Sequence, residues 1–244
     1  MQINLQKNAK ILHFDIDAAE INKNIHSDAS VVGDALEILK RVNAKLEQQD
    51  RHEWLEHIHD YEKQYPMAYR KDCLNGPLIM EKIYELTKGE AIISTDVGQH
   101  QMLTSQFVDI TENRKLIMSG GLGTMGYGLP GAIGAQIGNP GVPVISISGD
   151  GGMQMNIQEL ATAVLEELPI INCIFNNTYL GMVRQWQKLF YGKRYSMTNL
   201  RSGALSRRTN GEEYPKYTPD FIKLAESYGA KGIRVTKREE IAAA

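Results

Sequence analysis

Cysteine is scarce: Cys73 and Cys173 are the only two in 244 residues. Two thiols cannot supply a disulfide scaffold or a Cys-rich zinc site. One falls in a polar stretch and the other inside a strand-like run, so both read as free thiols of a reducing compartment. An excess of charge of one sign is missing too. Twenty-seven Lys and Arg nearly cancel 29 Asp and Glu, which leaves no electrostatic footprint for nucleic acid. No stretch approaches the roughly 20 apolar residues of a membrane-spanning helix. The opening MQINLQKNAK lacks the apolar core of a secretory signal. A soluble cytoplasmic protein without nucleic-acid or membrane partners is expected.

The hydrophobic share of 42% is ample for a packed core, and the length suits one large α/β domain or one domain plus part of another. Residues 1–46 read as an incomplete unit. AKILHFDID is a strand, AAEINKN a helical turn, and DASVVGDALEILKRVNAKL an extended piece running into an amphipathic helix. Parallel strands need neighbours on both sides, so this segment is expected to lean on other structure or to be the tail of another domain. Residues 47–75 are polar and carry His52, His57 and His59 at no recognised ligand spacing; they read as an exposed linker helix.

From residue 76 to 244 the pattern is regular. GPLIMEKIYELTKG is a helix opened by Pro77 and closed by Gly89. Strands follow at EAIISTDVG, RKLIMSGG, PVISISGDGG, LPIINCIFNN and AKGIRV. Helices fall at HQMLTSQFVD, GYGLPGAIGAQIGN, NIQELATAVLEE, TPDFIKLAESYG (capped by Thr218) and from TKREEIAAA onward. Strands alternating with helices predict an α/β fold, a doubly wound parallel sheet with helices on both faces. Ligands of such sheets sit at the carboxyl ends of the strands.

Two glycine-rich stretches compete for the chemistry. GLGTMG, residues 121–126, satisfies G-x-G-x-x-G between a strand and a helix. A dinucleotide site also wants an acid about 20 residues on, and Asp150 roughly qualifies, but that acid is wrapped in glycines of its own. The second stretch is ISISGDGGMQMN. Asp150 ends one strand and Asn176-Asn177 the next, with a single helix between. A right-handed crossover brings both tips to one edge of the sheet. A carboxylate and a carboxamide are hard oxygen donors suited to Mg2+ that also holds phosphate. Gly149, Gly151 and Gly152 clear room for a diphosphate to approach main-chain amides. The plainer alternative is a tight strand–helix turn with Asp as its cap and an unrelated Asn-Asn turn.

GDGGMQMN followed by FNN resembles the thiamine-diphosphate motif that begins Gly-Asp-Gly and ends Asn-Asn. STDVGQHQM, SGGLGTMGYGLPGAIGAQ, NIQELATAV, LGMVRQWQKLFYGKRYS and PDFIKLAESYGAKGIRVTK resemble the catalytic subunit of acetohydroxyacid synthase, also called acetolactate synthase. The resemblance covers residues 76–244 as a thiamine-diphosphate-binding domain, while HFDIDAAEINKN and VVGDALEIL look like the tail of the family's central flavin-binding domain.

The resemblance implies that Asp150, Asn177 and the main-chain oxygen of Tyr179 ligate Mg2+. It gives the diphosphate to Gln99 and His100, with the amides of Gly151 and Gly152, and adds Gly123 and Gly149 to the cofactor site. Met125 becomes the apolar prop beneath a V-shaped cofactor. Met182 lies at the cofactor and lines the substrate channel with Val183 and Trp186, the last favouring a larger second 2-keto acid. Arg184 and Lys188 are expected on the solvated side. The implied reaction decarboxylates pyruvate and joins the remaining fragment to a second 2-keto acid, giving 2-acetolactate or its ethyl homologue for branched-chain amino-acid biosynthesis. The family's activating glutamate belongs to an N-terminal pyrimidine-binding domain, and no glutamate here matches it. Glu159 reads as a surface or interface residue. The 244 residues alone are therefore expected to make no acetolactate. FAD belongs to the full-length family, with only Asp15 and Ile16 near its place here. A homo-oligomer or a complementing N-terminal domain and a regulatory small subunit are the implied partners. Two departures stand out: Gly131 replaces a family alanine, at about 1 kcal/mol of helix propensity, and Gly152 replaces a frequent serine, removing a hydroxyl donor.

Overall fold

The computed structural model describes residues 9–110, 115–200 and 219–244, in two compact units, residues 1–67 and 68–244. No helix among the described residues is long and apolar enough to cross a membrane.

In the first unit, β1 (Leu12–Asp15) and β2 (Ala29–Val32) pair in parallel, and α1 (Ala35–Asn43) follows with Asp34 as its N-cap. Asp34 earns that position because its side chain accepts the Glu37 amide. Ile38 is the buried hydrophobic residue among those described here, while Val31, Val32, Leu36 and Leu39 are exposed. Helix α2 (His52–Gln64) has no buried residue. Its histidines form separate helical pairs, His52 with Glu56 and His59 with Glu62.

The second unit is built on a four-stranded all-parallel sheet in the order β4-β3-β5-β6. Its strands are β3 (Ile92–Thr95), β4 (Leu116–Met118), β5 (Val144–Gly149) and β6 (Ile170–Phe175). The central strands β3 and β5 are buried almost throughout, as the apolar runs require. One face carries Ile93, Ile145 and Ile147 against Met80 of α3 (Gly76–Thr87) and Leu103 of α4 (Gln99–Phe107). On the other face, Ile92 and Val144 pack with Ala132 and Ala135 of α5 (Gly128–Gly138). Below α5, Leu129 and Ile133 meet Met153 of α6 (Asp150–Met153) and Leu160 of α7 (Glu159–Leu165). Helices thus cover both faces. Strand β3 runs into α4 on one face and β5 into α6 and α7 on the other, so the crevice between their carboxyl ends is the switch point where such sheets bind ligands.

Some local expectations change. The segment AKGIRV forms no strand. Gly232 lies against Ile222 and Arg234 binds Asp220 at 2.8 Å, so this extended stretch spends its contacts on α9 (Phe221–Ser227) rather than on a ladder. Thr218 lies outside the described residues; the observed cap of α9 is Asp220, which accepts the Ile222 amide. Helix α3 is capped by Asn75, which accepts the Leu78 amide, ahead of Pro77. At Gly131 a Cβ would stand 2.7 Å from Ser94 Oγ, whose hydroxyl donates to Gly128 O. The alanine favoured by helix propensity would displace that buried hydroxyl.

Candidate functional site

Four loops meet at the carboxyl edge of the sheet. After β3 the chain makes Asp96, Val97 and Gly98 and enters α4 at Gln99 and His100. After β4 it makes the glycine loop 119–126, then α5. Strand β5 runs directly into α6 at Asp150, and β6 leads through Asn176–Leu180 into α8 (Gly181–Phe190).

Asp150 is 1% exposed. Its Oδ1 accepts the Gly151 amide at 3.0 Å and its Oδ2 the Thr178 amide at 2.5 Å. The two tips separated by 27 residues of sequence therefore touch through the residue between Asn177 and Tyr179. Burial pushes the Asp150 carboxyl above the usual carboxylate range, against the pull of those amides. Asn177 Oδ1 accepts the Tyr179 amide at 2.9 Å, an Asx-type turn that aims the carboxamide back along the loop. A buried carboxylate and, one residue from its Thr178 partner, a carboxamide are hard oxygen donors of the kind a small divalent cation takes. Among the described residues no three His, Cys, Asp or Glu side chains group as a metal site.

Gln99 lies beside the same loop. Its Nε2 donates to Gln185 Oε1 of α8 at 2.6 Å, and a Cβ on Gly181 would collide with Gln99 Oε1 while standing 3.1 Å from Asn177 Nδ2. Glycine at 181 is what lets those two side chains share the space. His100 is 6% exposed and stacks near Phe175 at 6.5 Å between ring centroids. Its ring fills the space where Gly98 and Gly149 would carry Cβ atoms. Burial lowers its pKa from 6.5 to about 4, outweighing Asp96, which acts in the opposite direction. The imidazole is therefore neutral at pH 7, and its buried Nε2 has no hydrogen-bond partner. An unmet polar nitrogen at this edge suits an oxygen-rich ligand.

Met125 is half-buried, and its Cε lies 3.9 Å from where a Gly151 Cβ would be. Gly123 takes φ +64°, which only glycine adopts cheaply. In α8, Met182 is half-buried whereas Val183 and Trp186 are exposed, Trp186 resting on Phe190 at 5.1 Å. Lys188 is exposed, but Arg184 is not on the solvated side. Its guanidinium lies between the rings of Tyr179, at 4.4 Å, and Tyr195, at 3.7 Å. The cause is the segment 195–200, which returns along 178–180: Leu180 N donates to Thr198 O and Leu200 N to Thr178 O. Glu159, at the start of α7, is half-buried and accepts the Thr162 hydroxyl.

Gly152 corrects the reading of that position as a lost hydroxyl donor to a ligand. A Cβ there would run into Asp96 Oδ1, so a side chain at 152 points at a buried carboxylate. Asp96, which the sequence did not mark, is the residue most connected in the site. The last glycine of GLGTMG serves it: Gly126 N donates to its Oδ1 and, just beyond the motif, Gly128 N to its Oδ2.

Residues 96–244 match the family described as thiamine pyrophosphate enzyme, C-terminal TPP binding domain. The chain is 39% identical over 243 residues to the acetolactate synthase isozyme 3 large subunit of Escherichia coli K12, covering 96% of this chain and 40% of that protein. It is 45% identical over 244 residues to the probable acetolactate synthase large subunit of Methanocaldococcus jannaschii, covering 96% and 39%. For the acetolactate synthase large subunit of Corynebacterium glutamicum the identity is 44% over 241 residues, covering 96% and 37%. The chain thus spans about 40% of the length of the relatives it matches.

Proposed function

Because the chain belongs to the thiamine pyrophosphate enzymes through their C-terminal TPP-binding domain, we propose that it holds the diphosphate and Mg2+ of thiamine diphosphate in an acetolactate synthase-type carboligase. The observation that carries this reading is the contact of Asp150 with the Thr178 amide beside Asn177. Asp150, Asn177 and the Tyr179 carbonyl would hold the metal. Gln99 and the neutral His100 would take the diphosphate oxygens, with the amides of Gly151 and Gly152. Met125 would support the cofactor from below, and Met182, Val183 and Trp186 would border the 2-keto acids. When bound, the cofactor supplies the electron sink that lets a 2-keto acid lose CO2 and its remainder join a second 2-keto acid. The protein's share is placement, which can lower a barrier by as much as roughly 7–11 kcal/mol.

In this reading pyruvate is the first substrate, and the step serves branched-chain amino-acid biosynthesis in the cytoplasm. The activating glutamate, in this reading, comes from a pyrimidine-binding domain of the assembled enzyme. Flavin and a regulatory small subunit belong to that larger assembly. The test is product analysis with pyruvate, thiamine diphosphate and Mg2+. The 244-residue chain alone should give no acetolactate, and the chain complemented by the N-terminal part of an acetolactate synthase large subunit should give it. Acetaldehyde or acetyl phosphate as the sole product of the complemented enzyme would contradict the carboligase reading.

A further inference from the structure

Asp96 is 1% exposed, one residue beyond β3, and its carboxylate is spent on main-chain amides. Oδ1 accepts Val97 N at 2.8 Å and Gly126 N at 3.1 Å, and Oδ2 accepts Gly128 N at 3.0 Å. A Cβ on Gly128 would stand 2.8 Å from the Asp96 amide nitrogen, and one on Gly152 would strike Oδ1. One side chain therefore ties the loop bearing Met125 to the turn that follows β3, and lies against Gly152 without bonding to it. Asn156 closes the same loop from the other side, its Nδ2 donating to Gly126 O at 2.8 Å. Burying a carboxylate is costly unless its lone pairs are met. A cap for one amide could be Ser or Asn; a carboxylate offers a separate acceptor oxygen to each of Gly126 and Gly128.

We propose that Asp96 is a positioning residue that holds the Met125 loop in register with the diphosphate end of the site. This rests on the functional reading above, in which Met125 lies beneath the thiamine moiety. Asp96 then governs how the organic part of the cofactor is received, while Asp150, Asn177, Gln99 and His100 receive the diphosphate.

Two ligands separate these duties: Mg2+ with thiamine diphosphate, and Mg2+ with inorganic pyrophosphate, which has no organic part. Calorimetric titration of the 244-residue chain and of Asp96→Asn reads both affinities. In Asp96→Asn an amide group faces a main-chain N–H, and the loss of one such bond corresponds to about a fivefold drop in affinity. That drop is expected for thiamine diphosphate, with pyrophosphate affinity changed by less than about twofold, inside the scatter of one weak contact. Asn156→Ala loosens the same loop from its far side and should show the same selective loss. It decides the matter if circular dichroism finds Asp96→Asn unfolded. Equal losses for both ligands would mark a general scaffold role and overturn the proposal. So would unchanged affinity for both, or a wild-type chain with no preference between them. A wild-type chain that binds neither ligand refutes the functional reading itself, and the proposal falls with it.

Discussion

Acidification should strain this fold first at His100. The unfolded chain takes up that proton near pH 6.5, whereas the buried ring takes it up only near about 4. A depressed folded-state pKa gives stability that is fully present above pH 6.5 and is lost as pH falls toward 4. At 1.36 kcal/mol per pH unit, the gap between 6.5 and about 4 amounts to about 3 kcal/mol. Most of it, about 2.5 kcal/mol, is lost by about pH 4.5. Asp150 acts with the opposite sign. Burial raises its pKa, so its charge costs stability at neutral pH and that cost is relieved on acidification. The histidine contribution is therefore read as a difference, from urea unfolding of wild type and His100→Gln between about pH 7.5 and 4.5. The wild type should lose about 2.5 kcal/mol more than the variant over that range. Parallel stability curves would refute the placement of a neutral imidazole in this crevice.

Gly181→Ala should separate stability from function. Alanine suits a helix better than glycine by up to about 1 kcal/mol, yet its Cβ would collide with Gln99 Oε1 and crowd Asn177 Nδ2. Unfolding should be nearly unchanged while Mg2+–thiamine diphosphate affinity falls about tenfold, about 1.4 kcal/mol; unchanged affinity would contradict the shared use of that space. Arg184→Ala should cost about 1–2 kcal/mol in denaturant unfolding by emptying the space between Tyr179 and Tyr195. Arg184→Lys should recover only part, because an ammonium lacks the flat guanidinium that stacks on both rings. An alanine variant as stable as wild type would show that the stacking contributes nothing.

What the sequence makes legible here is what is written locally. VISISG and IINCIF are apolar runs of strand length that end at once in a glycine-wrapped acid and an Asn-Asn pair. Their shared edge follows from the handedness of a single crossover. Asp96 was not legible, because its partners Gly126 and Gly128 lie 30 and 32 residues away, and GLGTMG invites a nucleotide reading in isolation. Arg184 escaped for a similar reason. Helical spacing assigns it a face, but the ring that covers that face comes from Tyr195 on the returning segment. The failure at AKGIRV is of another kind: its composition suits a strand, but its contacts go to Ile222 and Asp220 instead of to a ladder.

The most direct test of the proposed function is thiamine diphosphate binding to the 244-residue chain with and without Mg2+, for wild type and Asp150→Ala. Binding should require the cation, be abolished by a chelator, and weaken at least roughly a hundredfold, about 2.7 kcal/mol, in the variant. Binding that ignores the chelator, or an Asp150→Ala chain that binds as tightly as wild type, would contradict it.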